Sequence, residues 1–124
     1  MCGILGAFGI GANLSLIERE LKYLKHRGPD YQATVAPNSK IVLGSTRLAM
    51  TDPLPRSNQP FSIDGDWLSF NGEIYNYREI RSYLKKTYNV EFITDSDTEV
   101  LLQVLRILGT NGLNRLNGMY AFAF

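Results

Sequence analysis

The last six residues, Met119-Tyr120-Ala121-Phe122-Ala123-Phe124, are apolar at every position. A strand with one wet face alternates apolar and polar residues with a period of two, so an unbroken apolar run asks for cover on both faces. The segment predicts a strand covered on both sides within a layered domain. It also ends the chain on that strand. Domain termini are usually exposed, so the 124-residue chain reads as truncated at its C-terminus.

The preceding residues predict the layers. Residues 3–9 mix Ile, Leu, Ala and Phe with glycines and read as a buried strand that another backbone or a ligand approaches closely. Leu14, Ile17, Leu21 and Leu24 recur at helical intervals, and Ser15 with Glu18 has capping-box spacing. That helix stops before Gly28-Pro29. Strands are expected over 31–36 and 40–46, and a proline-rich loop over 52–60. Phe61–Ile63 and Trp67–Phe70 flank Asp64-Gly65, a hairpin signal. Helices are expected after Asn76 and after the Ser96/Glu99 capping box, the second closed by Gly109, with a short strand over Val90–Ile93 between them. One more helical turn is expected over Leu113–Leu116. Hairpins outnumber crossovers, which indicates an α+β fold with antiparallel sheet covered by helices.

Composition excludes several classes. With 44% hydrophobic residues a core is possible. A formal charge of +1 gives no electrostatic case for nucleic acid or an anionic membrane. No window approaches the ~18 apolar residues of a membrane span, and the apolar N-terminus lacks the basic leader of a signal peptide. A cytoplasmic protein is the default. One cysteine allows no internal disulfide and no multi-cysteine metal site. No P-loop, G-x-G-x-x-G or His-Glu-x-x-His occurs, so no ATP, NAD or metal is expected in this domain.

Five places carry side chains suited to chemistry. Cys2 follows the initiator, and Met1 is normally trimmed before a small residue. Trimming leaves a thiol and an α-amine on one residue, with free-peptide pKa values of ~8.5 and ~7.7–8.0. Such an amine takes the thiol proton near neutral pH and returns it to an amine leaving group. On position alone, a small buried cysteine is the simpler reading. His26 is the only histidine, and it falls in a helix exit, Arg27-Gly28-Pro29-Asp30, where a structural role suffices. Arg47, at a strand end, is either a surface charge or a fork for a carboxylate. Asn71-Gly72 is either a turn or a pair of donors aimed at one oxygen, as an oxyanion hole requires. Asp95-Ser96-Asp97 opens a helix, which capping explains, although a carboxylate there also suits a substrate ammonium.

Taken in order, seven runs resemble one family: Met1-Cys2-Gly3-Ile4-Leu5-Gly6; His26-Arg27-Gly28-Pro29-Asp30; Thr46-Arg47-Leu48-Ala49; Gln59-Pro60; Phe70-Asn71-Gly72-Glu73-Ile74-Tyr75-Asn76-Tyr77; Ser96-Asp97-Thr98-Glu99-Val100; and Leu116-Asn117-Gly118-Met119-Tyr120-Ala121-Phe122-Ala123. They look like the glutaminase domain of glutamine-hydrolysing asparagine synthetase, a class II glutamine amidotransferase of the N-terminal-nucleophile hydrolase superfamily. The resemblance covers residues 1–124 as a partial type 2 amidotransferase domain, the synthetase domain being absent. Other class II amidotransferases share the Cys-Gly start and an Asn-Gly pair. They lack the full His26–Asp30 and Asn71–Asn76 runs.

The resemblance implies a four-layer αββα sandwich with two antiparallel sheets. It implies Cys2 as nucleophile and Asn71 with the Gly72 N–H as oxyanion donors. Arg47 would take the glutamine α-carboxylate, and Asp97, helped by Glu73, the α-ammonium. Leu48, Ala49, Met50 and Thr51 would line the pocket, and His26–Asp30 would form a loop near the nucleophile. ATP and magnesium would belong only to the missing synthetase domain or subunit, which would be the partner, and the full-length protein would be a possible homodimer. Ser45 stands where the family often has histidine, and Thr51-Asp52-Pro53 varies the usual Ile/Val-x-Asp run. Two further readings stay open: an amidotransferase for another acceptor, such as a surface-polysaccharide sugar, and an inert glutamine-binding remnant.

Overall fold

The computed structural model describes residues 2–124; Met1, and with it the expectation that it is trimmed, lies outside the described residues. The fold is α+β, with two three-stranded antiparallel sheets. The first sheet has the order β1-β3-β2, from Gly3–Phe8 (β1), Tyr31–Asn38 (β2) and Ile41–Arg47 (β3). The second has the order β4-β5-β6, from Phe61–Ile63 (β4), Asp66–Ile74 (β5) and Gly118–Ala123 (β6). There are three helices, Leu14–Leu21 (α1), Tyr77–Tyr88 (α2) and Asp97–Leu108 (α3), and 3-10 segments at Lys22–Arg27, Pro55–Ser57 and Gly109–Arg115.

The two-residue period of the strands assigns the faces. Along β3, Ile17 and Leu21 of α1 lie over Gly44, and Thr46 Oγ1 donates to Leu24 O. The alternate residues point to the second sheet, where Ser45 Oγ donates to Ser69 Oγ at 3.0 Å. Along β5, Leu68, Phe70 and Ile74 pack with Phe61 against Leu101, Leu102 and Leu105 of α3. Helix, sheet, sheet and helix thus follow one another, an order compatible with an αββα sandwich. Helix α2 closes the far side, with Ile80 and Leu84 on Val100 and Val104.

Several expectations need correction. The cap of α1 is Asn13, not Ser15: Asn13 is extended and its side-chain oxygen accepts from Leu16 N. Val90–Ile93 forms no strand. Its hydrogen bonds go elsewhere, since the Ile93 and Thr94 N–H groups donate to the Glu99 carboxylate, and Phe92 lies under the Arg81 guanidinium at 4.5 Å. The Ser96/Glu99 box is therefore half formed, with Ser96 Oγ accepting from Glu99 N while the carboxylate points away. Strand β5 does not end at Phe70 but runs through Asn71-Gly72-Glu73 to Ile74, because β6 pairs with it over that length.

The terminal run is covered on one face only. Tyr120 and Phe122 pack on the α3 cluster, whereas Met119, Ala121 and Phe124 are exposed. Strand β6 is the edge of its sheet, and among the described residues no further layer covers its other face.

At Gly72 the β5 and β6 backbones leave no room for a side chain. A Cβ there would collide with the Met119 carbonyl oxygen and stand 2.6 Å from Tyr120 Cα. Backbone cannot yield as a flexible side chain does, so the strands would have to part. Gly72→Ala is expected to lower the unfolding free energy by about 2–3 kcal/mol, read by denaturant titration. A loss below about 0.5 kcal/mol, the usual range of a neutral surface change, would show that this contact is not tight.

Candidate active site

Six separate stretches of chain converge on one cleft. Its walls come from Cys2 before β1, from Arg47, Leu48, Met50 and Thr51 at the end of β3, from Gln59, from Phe70, Gly72 and Glu73 of β5, and from Asp97 and Thr98 at the start of α3, with Met119 at the rim. About 610 Å³ of space, part of it open solvent, lies between these walls. Of the residues named from the sequence, Cys2, Arg47, Leu48, Met50, Thr51, Gly72, Glu73 and Asp97 line it, whereas Ala49 and Asn71 do not. Ala49 instead donates its N–H to Asp30 Oδ2 at 2.8 Å. The Asn71 side-chain oxygen is buried and has no hydrogen-bond partner among the described residues.

Cys2 is half-buried, and its thiol makes one long contact, 3.9 Å to Leu48 O. His26 is exposed and lines no part of the cleft. The His26–Asp30 run braces the end of β3: Asp30 N donates to Arg47 O, and Gly28 crosses the Thr46–Arg47 backbone where a Cβ would have no room.

The edge of β5 supplies donors at regular intervals. Phe70 N donates to Gln59 Oε1 at 2.6 Å, and Ile74 N to Asp97 Oδ2 at 3.1 Å. Backbone N–H groups two residues apart point to the same edge of a strand. The Gly72 N–H therefore lies between these two, on the edge that borders the cleft. Gln59 also donates to Thr98 Oγ1 at 3.3 Å, joining that edge to α3. The sequence offered only the Gln59-Pro60 pair as a hint of this; nothing in its local pattern marked Thr98.

Arg47 is 4% exposed, and its guanidinium is largely engaged. Nη1 donates to Leu54 O and to Asn58 Oδ1, and Nη2 to Asp52 O and, at 3.4 Å, to Thr51 O. The arginine thus orders the 51–58 loop as well as facing the cleft. Asp97, at 6% exposure, has its carboxyl pushed above the ordinary range by burial, against the lowering effect of the Ile74, Asp97 and Thr98 N–H groups, with the nearby Glu73 charge pushing further up. A buried carboxylate next to a second one favours a cation between or beside them. Among the described residues no cluster of His, Cys, Asp and Glu is arranged to hold a metal, and no helix is long and apolar enough to cross a membrane.

A thiol, a guanidinium, a strand-edge N–H and a buried carboxylate thus line one cleft. The family model of the glutamine amidotransferase domain matches residues 1–124, and the chain belongs to that family. It is 37% identical over 131 residues to asparagine synthetase (glutamine-hydrolyzing) 1 of Bacillus subtilis strain 168, covering 98% of this chain and 20% of the relative. It is 36% identical over 128 residues to the enzyme of that name numbered 2 in Oryza sativa subsp. japonica, covering 98% and 21%. A Mycobacterium tuberculosis H37Rv relative, provisionally given the same name, is 39% identical over 142 residues, covering 99% and 22%. The chain thus spans about a fifth of the length of these relatives.

Proposed function

We propose that this chain hydrolyses the side-chain amide of glutamine to glutamate and ammonia, with Cys2 as nucleophile after Met1 is removed. The observation that carries the reading is the convergence, from four stretches of chain, of Cys2, Arg47, the Gly72 edge and Asp97 on one cleft. The Cys2 α-amine accepts the thiol proton as Sγ attacks the amide carbon. The Gly72 N–H stabilises the oxyanion, and the side-chain amide of Asn71, which does not line the cleft, joins it by turning toward the substrate. The amide C–N bond breaks, the nitrogen takes the proton from the α-ammonium, and ammonia leaves. Water then attacks the γ-glutamyl thioester and releases glutamate, regenerating the thiol. This assignment places the domain with αββα N-terminal-nucleophile hydrolases.

The substrate's charged end sets the specificity. Arg47 has Nε and Nη2 on one side of its fork. The 3.4 Å contact from Nη2 to Thr51 O is the longest of its set, so a carboxylate bound across Nε and Nη2 meets weak competition there. The substrate ammonium sits at Asp97, with Glu73 beside it. The relatives' names, asparagine synthetase (glutamine-hydrolyzing), support an asparagine-synthetase-type domain as the consumer of the ammonia.

The test is glutamate release from glutamine by the purified chain, with Met1 removal verified by mass spectrometry. An electrophilic glutamine analogue should add once, to Cys2. Turnover of glutamine but not of the one-carbon-shorter asparagine is expected. A processed, folded chain that neither turns over glutamine nor is labelled at Cys2 would falsify this reading.

A further inference from the structure

Asp52 lies outside the cleft, yet it joins the two walls that carry the cleft's charged groups. Its main-chain oxygen accepts from Arg47 Nη2. Its carboxylate, 2% exposed, reaches 43 residues along the chain to accept from Asp95 N at 2.8 Å. Asp95 stands two residues before Asp97. One residue therefore touches Arg47 through its backbone and the Asp97 turn through its side chain. Arg56 reinforces the junction from outside, with Nε 2.8 Å from Asp52 Oδ2 and Nη2 2.9 Å from Asp95 Oδ2. Arg81 then ties Asp95 to α2 at 3.3 Å.

The backbone at Asp52 is unusual. Its φ is 48°, in the left-handed region that few residues other than glycine adopt and that aspartate tolerates better than most. Glycine would satisfy the backbone more easily, but it has no carboxylate. The position therefore keeps a side chain in a conformation that disfavours one, and that side chain holds the Asp95 N–H. Burial raises the Asp52 carboxyl, but the Asp95 N–H and the Arg56 guanidinium outweigh it and hold the group below its ordinary range, so it is ionised at neutral pH.

We propose that Asp52 is a positioning residue which, with Arg56, fixes the distance between the Arg47 and Asp97 subsites and so selects ligands that carry both an α-carboxylate and an α-ammonium. The inference rests on the assignment of those two subsites to glutamine. A ligand gripped at one end only does not sense their separation, whereas a ligand gripped at both ends does. Discrimination between the two kinds of ligand, rather than activity as such, is the property at stake.

The experiment compares the processed parent with Asp52→Gly, which suits the backbone and removes the carboxylate, and with Asp52→Asn, which keeps an acceptor for Asp95 N. L-glutamate and glutarate serve as competitive inhibitors, the second lacking the ammonium. In Asp52→Gly, KM for glutamine should rise about tenfold or more with kcat within about threefold, the pattern of lost ground-state binding. The glutamate-over-glutarate preference should fall by a similar factor, and Asp52→Asn should recover most of both. Loss of folded protein alone lowers apparent activity without changing that preference. If Asp52→Gly does not fold, Arg56→Ala, at a half-exposed side chain, should move the preference the same way by about threefold. An unchanged preference in a variant that still folds and turns over overturns the proposal alone. A parent that neither hydrolyses glutamine nor is stabilised by it overturns the glutaminase reading, and this proposal with it.

Discussion

Replacing Cys2 by alanine in the Met1-free chain should reduce glutamate release at least about a thousandfold, the scale on which loss of a nucleophile acts, while leaving the unfolding midpoint nearly unchanged. The two halves of the expectation have separate causes. The thiol is half-buried and makes only a 3.9 Å contact to Leu48 O, so its removal costs little packing and no strong hydrogen bond. The chemistry, in contrast, has no substitute among the described residues, since Cys2 is the only cysteine and His26 lies outside the cleft. Keeping Met1 in place is expected to be nearly as damaging, because an amide nitrogen cannot take the thiol proton as an α-amine does. Glutamate release and thermal unfolding on the three proteins decide the matter. An alanine variant retaining a tenth of the parent rate would move the nucleophile elsewhere.

Much of this site is legible in the sequence because the chemistry is concentrated in side chains that local pattern isolates. Cys2 follows the initiator, Arg47 ends a strand, and Asp97 follows a capping serine, each in a position where its neighbours are unlike it. The helices α2 and α3 are legible for a related reason, since periodic Ile, Leu and Val mark a single buried face. What local pattern misreads is whatever depends on a distant partner. Asn71-Gly72 reads as a turn or a post-strand motif until β6, almost fifty residues later, pairs with it and extends β5. Val90–Ile93 has strand composition but no strand beside it, and Glu99 takes its N–H groups instead. Met119–Phe124 has the composition of a strand buried on both sides, yet one of its faces is open. Asp52 is the clearest case: in the sequence it is one polar residue in a proline-rich loop, and its contact with Asp95 N exists only in the folded chain.

Asp97→Asn should separate binding from stability, with opposite signs. The Asp97 carboxyl is raised from its ordinary value of 3.8 by burial first and by the Glu73 charge besides. A folded acid with a raised pKa holds its proton to higher pH than the unfolded chain does. Between the ordinary value and the raised one the folded state binds more protons, so stability falls as pH rises through that window and stays reduced above it. An asparagine side chain cannot ionise and escapes this loss, while its oxygen still accepts from Ile74 N, as Asp97 Oδ2 does at 3.1 Å. The ligand-free variant is therefore expected to be at least as stable as the parent at pH 7. Its advantage should grow from pH 4 to pH 7 in paired denaturant titrations. On the proposed reading, glutamine reverses the balance. Its ammonium would offset the buried negative charge in the parent and find no counter-charge at that position in the variant, and losing one partner of such a pair costs ~2–5 kcal/mol. A fall of at least about a hundredfold in kcat/KM is expected, equivalent to roughly 2.7 kcal/mol. If activity stays within about threefold of the parent, the ammonium is held by the more exposed Glu73 instead. If the variant loses stability as pH rises in the same way as the parent, the carboxyl of Asp97 is not the group that titrates.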